Sequence, residues 1–271
     1  MDSVNLGAGT PPVAESASAP PPAAPRPARR LWAVALPAGL MAGLLSWGAG
    51  ELALVRFTPA FHMNEQTRQR IETSTAEVRR QLQEATTRTA TVSYGALAAL
   101  LGGALGAAGG IAGRSRSRGL TAAAVGLLLG AAAGASATAV LCQVFHQWFS
   151  ASTDTFSKDL LRPLLLHAGM WAPAGLAGGL ALGLGEGGWR RGAQTAFGGL
   201  LGAAFGVVLS EIGGALAFPN ARTTHPYGTE WGARLLVHLV VALTVSALAA
   251  WSADNVRLSR SRSSPAGSGS S

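Results

Sequence analysis

Six stretches of the chain run for about twenty residues or more without a charged side chain, and they constrain the fold more than any other feature. A helix needs roughly 20 apolar residues to cross about 30 Å of hydrocarbon. Core helices of soluble proteins carry a polar stripe that faces water, whereas these stretches are apolar or small on every side. The sequence therefore predicts an all-α, polytopic transmembrane helix bundle of six spans. The uncharged stretches are 31–50, 89–113, 119–153, 163–185, 192–210 and 235–253.

The remaining segments divide the chain into a membrane domain, at 29–258, and two tails. Residues 1–28 are rich in Pro, Ala and Ser; since they lack the apolar side chains that folding requires, we predict a disordered cytoplasmic tail. Residues 259–271 are rich in Ser and Gly and are predicted to be a second disordered tail. An amphipathic outer helix is predicted over 63–90. The predicted spans are about 31–55, 92–113, 120–142, 164–185, 193–218 and 234–252.

Arginines cluster at the ends of the apolar stretches, and each cluster lies on the same side of an alternating six-span path. By the positive-inside rule this side is the cytoplasm, and both termini lie there. The other side holds Lys158, Arg162 and Arg222 in its two later loops, and a segment after the first span whose six arginines are offset by glutamates. This distribution favours a membrane anchor over a nucleic-acid-binding surface. A cleaved secretory signal is the competing interpretation of the first span, but the stretch is long and starts late, so we prefer a signal anchor. The clusters are Arg26, Arg29 and Arg30; Arg114, Arg116 and Arg118; Arg190 and Arg191; and Arg257, Arg260 and Arg262.

Glycines recur at four-residue spacing in spans two to five. On a helix this spacing forms a flat stripe along which two backbones can approach. We expect Gly-x-x-x-Gly packing of two hairpins, with spans two to five as the core and spans one and six at the periphery; lining of a pore is the alternative. A shift of 72 residues matches part of one hairpin to the other and indicates a parallel repeat. The stripes are Gly102, Gly106 and Gly110; Gly126, Gly130 and Gly134; Gly175, Gly179, Gly183 and Gly187; and Gly198, Gly202 and Gly206.

The polar segment before the second span has a helical pattern. Ile71, Val78, Ala85 and Val92 recur every seven residues and form a narrow apolar stripe. Two interpretations stay open. The segment is either a solvated helix that leads straight into the second span, or a short coiled-coil segment that binds a partner or a second copy of the chain.

Five ionisable residues from four spans share one depth, in the outer third of the membrane. Charged groups inside a bilayer are expensive and tend to face a bundle interior, a cavity or a partner. One interpretation is structural, with a carboxylate paired to an arginine. A second is a proton or cation pathway through both carboxylates and a histidine. A metal site is the third, and no ligand spacing such as His-Glu-x-x-His supports it. The residues are Glu51, His167, Glu211, Arg234 and His238.

One enzymatic hypothesis comes from a resemblance. The stretch from Gly134 to Ala137, with Ser136 inside it, and His238 on the sixth span resemble the serine and histidine of rhomboid intramembrane proteases. The second span has no histidine and asparagine pair for an oxyanion site. The glycine motifs lie inside spans and not after a strand, so no phosphate-binding loop is indicated. Cys142 is the single cysteine and excludes an internal disulfide. We therefore expect no catalytic residue, metal ligand or cofactor.

The late region of the chain resembles a group of multi-pass membrane proteins found in planctomycete bacteria, whose activity is not known. The resemblance rests on 210–219, Trp231 and 234–236, within about 170–250. It implies a membrane location and carries over no activity. The alanine-rich composition, with many arginines and few lysines, suits a GC-rich bacterial genome. We therefore expect a bacterial cytoplasmic membrane protein.

Taken together, the sequence predicts a membrane protein with a structural or accessory role and no catalytic activity. The alternative is a small proton- or cation-coupled transporter or channel that uses Glu211. The expected partners are the lipid bilayer and either a second copy of the chain or another membrane protein.

Overall fold

The computed structural model describes residues 27–59, 71–151, 161–219 and 225–262, and within these ranges every regular element is an α-helix. All six helices are long and apolar enough to cross a membrane. This confirms the predicted all-α bundle with six candidate spans. The helices are α1 (Pro27–Arg56), α2 (Ile71–Ala112), α3 (Arg116–Ala151), α4 (Leu161–Gly187), α5 (Trp189–Ala217) and α6 (Trp231–Arg262).

The predicted outer helix and the second span form one continuous helix, α2, which is 42 residues long. No glycine or proline interrupts the chain between 71 and 94, so nothing ends the helix at the membrane surface. The segment therefore leads straight into the second span, and binding of a partner or a second copy of the chain by it stays a prediction. Along the seven-residue stripe, Val78 and Ala85 are half-buried and Val92 is exposed, so the stripe is not one continuous buried seam.

The helix ends differ from the predicted tail boundaries. The first tail was predicted to reach residue 28, whereas α1 begins at Pro27; the second was predicted to begin at 259, whereas α6 continues to Arg262. The rest of both tails, and 63–70 of the predicted outer helix, lie outside the described residues.

The six helices form an inner set of three and an outer set of three. Inner helices α2 and α4 pack against each other, and α6 contacts both of them. Each outer helix fills a groove between two inner ones: α1 lies on α2 and α6, α3 on α2 and α4, and α5 on α4 and α6. The inner helices α2, α4 and α6 all run in one direction, and the outer three run in the other.

The expectation that spans two to five form the core is therefore wrong. The sixth span belongs to the inner set, while the third and fifth lie outside with the first. The physical reason is that α6 has small side chains other than glycine. Ala242, Ser246 and Ala249 are fully buried, and alanine and serine also permit close approach of helices in lipid. Val241 and Val245 on the same helix are fully buried as well.

The glycines mark close contacts, but not always with the expected helix. A Cβ atom on Gly102 would collide with the backbone of Gly126, and one on Gly175 with that of Gly199. The stripe on α5, however, faces α6 instead of its hairpin partner: a Cβ on Gly202 would lie 2.6 Å from Cα of Val245. Helix α5 therefore uses one face against α4 and an adjacent face against α6.

Two short links hold the hairpins together at the arginine-rich end of the bundle. Residues 113–115 join α2 to α3, and Gly188 alone joins α4 to α5. Gly188 has φ of 107°, and its N–H donates to Gly183 O at 3.2 Å. This left-handed conformation favours glycine, because a Cβ atom is strained there.

Replacement of Gly102 by leucine tests whether close backbone approach stabilises the bundle. Gly102→Leu should lower the free energy of unfolding by about 3 kcal/mol, because the clashing atoms belong to the backbone and cannot move aside. Reversible unfolding in mixed micelles with increasing dodecyl sulfate, followed by circular dichroism, measures the change. Gly48→Leu is the matched control, since a Cβ at Gly48 meets nothing within 4 Å. Equal losses for both variants would contradict the packing role.

Candidate functional site

The five predicted ionisable residues come together at the end of the bundle opposite the arginine-rich links. We call Glu51, His167, Glu211, Arg234 and His238 the outer cluster. The rise of about 1.5 Å per residue puts His167 about 30 Å, and Glu211 about 33 Å, from the arginine-rich ends of their helices. Because the hydrocarbon core is about 30 Å thick, the outer cluster lies at its far boundary.

Glu51 and Arg234 form a bidentate ion pair between α1 and α6. Arg234 Nε donates to Glu51 Oε1 at 2.6 Å, and Nη2 donates to Oε2 at 2.7 Å. Arg234 Nη1 also donates to the carbonyl oxygens of Gly228 (3.0 Å) and Thr229 (2.9 Å). The Arg234 side chain is only 6% exposed. The guanidinium thus finds its partners within the protein, as a buried charge requires.

His167 and Glu211 form a second pair, between α4 and α5. His167 Nδ1 lies 2.6 Å from Glu211 Oε1, and Nε2 lies 3.2 Å from the carbonyl oxygen of His225. The ring stacks on Trp171, with centroids 5.2 Å apart and planes within 5°. Each ring nitrogen thus lies within hydrogen-bond distance of an oxygen atom, and the pair joins α4 to α5.

His238 on α6 is fully buried and bonded at both ring nitrogens. Nδ1 lies 2.8 Å from the carbonyl oxygen of Arg234, and Nε2 lies 2.9 Å from Oγ of Ser93. A carbonyl only accepts, so Nδ1 carries the proton, and a neutral ring then accepts the Ser93 hydroxyl proton at Nε2. His238 therefore ties α6 to α2.

Aromatic residues complete the site. Tyr94 contacts the rings of Trp171 (6.0 Å between centroids), Tyr227 (6.1 Å) and His238 (5.7 Å). The Arg234 guanidinium carbon lies 5.4 Å from the Tyr227 ring centroid. Burial raises the pKa of Tyr227, so its hydroxyl stays protonated. A signal existed: Tyr94 and Tyr227 are the two tyrosines of the chain, and tyrosine is typical of membrane boundaries.

A small cavity lies between these groups, bounded by Tyr94, His167, Glu211 and Arg234. The space that the centre of a water molecule can reach is ≈ 20 Å³, which is room for about one water. Glu211 borders this space and keeps 22% of its side chain exposed. The cavity is therefore bordered by a few charged and polar groups and is far too small for an organic substrate.

Neither the rhomboid-like pair nor a metal site is assembled. The partner of His238 is Ser93, whereas Ser136 is exposed on α3, which does not contact α6 in the described part of the chain. Ser93 and His238 are both fully buried, so a peptide bond has no access to them. Among the described residues, no three His, Cys, Asp or Glu side chains are grouped to hold a metal ion.

Comparison of the chain with protein-family models, with curated proteins and with solved structures finds no match. Functional inference therefore starts from the geometry of this bundle. That geometry offers the Glu51–Arg234 ion pair, the His167–Glu211 contact, the buried His238 and a water-sized cavity at one end of the bundle.

Removal of the Arg234 side chain should destabilise the bundle. Arg234→Ala leaves Glu51 without its partner, and we expect a loss of about 3 kcal/mol, near the low end for a broken buried ion pair because Glu51 is partly exposed. The double variant E51Q/R234M should recover much of the loss, since it leaves no isolated charge. Unfolding in mixed micelles measures both.

Arg80→Ala is the control for this experiment. Arg80 forms the exposed pair with Glu77, at 2.8 Å, and its loss should leave stability unchanged. A loss from Arg80→Ala as large as that from Arg234→Ala would show that burial of the Glu51–Arg234 pair is irrelevant.

Proposed function

We propose that this chain is an integral membrane protein without catalytic activity, structural or accessory to a partner, in which the outer cluster joins the helices to one another. The observation that carries the proposal is the apolar packing between the two polar ends of the bundle. Leu97, Leu101 and Leu105 on α2 have no exposed surface, and neither do Leu182 on α4 and Val241 on α6. A pathway for ions or protons needs polar groups or water across this region.

The bonding of the outer cluster supports the same proposal. Arg234 makes four hydrogen bonds to protein atoms, and the rings of His167 and His238 are engaged at both nitrogens. Every inner helix and two of the outer helices contribute to these contacts. Interhelical polar bonds are one of the few attractive forces available in lipid, where apolar burial between helices gains little.

The accessory role is supported by the length of α2. Its first residues, 71–93, extend about 33 Å beyond the depth of the outer cluster and pack against α3, where Thr87 Oγ1 lies 3.2 Å from His146 Nε2. The exposed side chains of Arg80 and Arg88 make this projection a polar surface. We assign to it the contact with another membrane protein or a second copy of the chain, and we attribute the tight hairpins to glycine-zipper packing.

Glu211 supports a second candidate, a small proton- or cation-coupled transporter or channel. Its Oε1 lies 2.6 Å from His167 Nδ1, and the side chain borders the water-sized cavity and is partly exposed. In this mechanism, protonation of the pair would be linked to a rearrangement that opens the apolar interior. The structural role and the transport role make opposite predictions for one substitution.

Glu211→Gln distinguishes the two roles. If the His167–Glu211 pair is structural, the variant should lose about 1.5 kcal/mol of stability, as expected for a hydrogen bond to a charged group, and liposomes with either protein should show no proton or cation flux. A pH-sensitive dye inside the liposomes measures flux. Wild-type flux that disappears in Glu211→Gln, with unchanged stability, would establish transport instead. Glu84→Gln, in an exposed pair with Arg88, is the control.

We place the protein in the bacterial cytoplasmic membrane with both termini in the cytoplasm. The arginine clusters support this orientation through the positive-inside rule, and the resemblance to planctomycete membrane proteins fits it. The links at 113–115 and Gly188 then face the cytoplasm, and the outer cluster faces the exterior.

Cysteine labelling of intact cells tests this orientation. Cys142 is buried and is first replaced by alanine. In that background, Ala76→Cys should react with a membrane-impermeant maleimide added outside, while Ser117→Cys should react only after the cells are opened; both positions are exposed. The reverse pattern would place the arginine-rich end outside.

A further inference from the structure

We propose that the arginine-rich end of the bundle holds a binding site for an anionic phospholipid, with its phosphate between Arg118, Arg190 and Arg191. These side chains line an open pocket together with Glu186, Gly187 and Trp189. The space that a water-sized sphere can reach there is ≈ 470 Å³. The pocket is thus large enough for a lipid headgroup, unlike the cavity at the outer cluster.

The charge of this pocket favours an anion. Three arginines contribute +3 and the carboxylate of Glu186 contributes −1, which leaves +2 for the lining residues. Glu186 is 1% exposed at its side chain, and its contact with Arg191 is long, at 3.4 Å. Arg118 and Arg190 are exposed. Guanidinium groups are well suited to phosphate, because they can donate two parallel hydrogen bonds.

The position of the arginines on their helices also calls for an anion. Arg118 lies in the first turn of α3, and Arg190 and Arg191 lie in the first turn of α5, where the helix dipole disfavours positive charge. Neither first turn contains an acidic residue, and Gly188 before α5 offers no side-chain cap. A bound phosphate would satisfy both the free backbone N–H groups and the arginines.

An apolar groove beside the pocket identifies the ligand as a lipid and not as free phosphate. Helices α3 and α5 both pack on α4 but do not contact each other in the described part of the chain, so α4 forms the floor of a groove. Leu184, Leu180 and Leu176 follow one another along this floor at four-residue spacing, from half-buried to 43% exposed. An acyl chain can lie on this row while the headgroup sits at the arginines.

Trp189 supports a position of the pocket at the level of the lipid headgroups. Its side chain is 70% exposed next to the arginines, as is typical of tryptophan at the level of lipid headgroups. The pocket, the charge, the groove and the aromatic ring therefore coincide at one membrane boundary.

The test uses full-length protein in nanodiscs of phosphatidylcholine with a minor share of phosphatidylglycerol, and native mass spectrometry counts the phosphatidylglycerol that stays bound. R118Q/R190Q should bind it roughly tenfold more weakly than wild type, because two cationic contacts are lost. R118K/R190K, which keeps both charges, should bind within a few-fold of wild type. The control R114Q/R116Q removes two arginines that lie near the same boundary outside the pocket, and it should bind like wild type.

Several results would overturn the site. Absence of retained phosphatidylglycerol on wild type would do so, as would equal weakening in R118Q/R190Q and R114Q/R116Q, since the effect would then be general surface charge. Binding of soluble glycerol phosphate as tightly as phosphatidylglycerol would remove the role of the leucine groove. All the substituted arginines are exposed, so loss of folding is not expected; circular dichroism verifies that each variant is helical.

Discussion

Hydrocarbon offers no hydrogen-bond partner, so polar groups inside a membrane need partners within the protein, and this need shapes the bundle. Polar groups in a membrane must be satisfied inside the protein, so backbones form helices and side chains with charge seek one another. Arg234 obtains Glu51 and two loop carbonyls, and His238 obtains Ser93 and a carbonyl of its own helix. Between the two ends, the interior contains closely packed leucine, valine and alanine.

The two ends of the bundle differ in how their charged side chains are neutralised. At the outer end, opposite charges meet inside the protein, and the remaining space fits about one water. In the pocket at the arginine-rich end, Arg118, Arg190 and Arg191 outnumber the carboxylate of Glu186. The outer end is therefore closed by internal pairs, and the other end is arranged to receive charge from outside.

The number of spans and the depth of each residue were predictable from the sequence. Contacts that depend on which helices are neighbours were not. The number of spans follows from the length of uncharged stretches, and the common depth of Glu51 and Arg234 follows from counting residues. Which residues pair depends on which helices are neighbours. Gly198 and Gly199 are adjacent in sequence, yet one faces α6 and the other α4, and a four-residue period cannot distinguish them.

The inner position of α6 was missed for a related reason. Alanine and serine are also small, and Ala242, Ser246 and Ala249 are buried along α6 together with Val241 and Val245. Ser93 and Tyr94 were missed because they lie inside an apolar stretch, where their contacts with His238 depend on the packing of α2 against α6. The contacts of residues such as serine and tyrosine can be identified only when the neighbouring helices are known.

The single-residue connection at Gly188 bears on how the chain enters the bilayer. Only one residue links α4 to α5, so the two helices cannot separate far from each other. We therefore expect both to insert together as one helical hairpin. Arg190 and Arg191 would resist translocation throughout. In the proposed orientation, the turn stays on the cytoplasmic side while both helices insert.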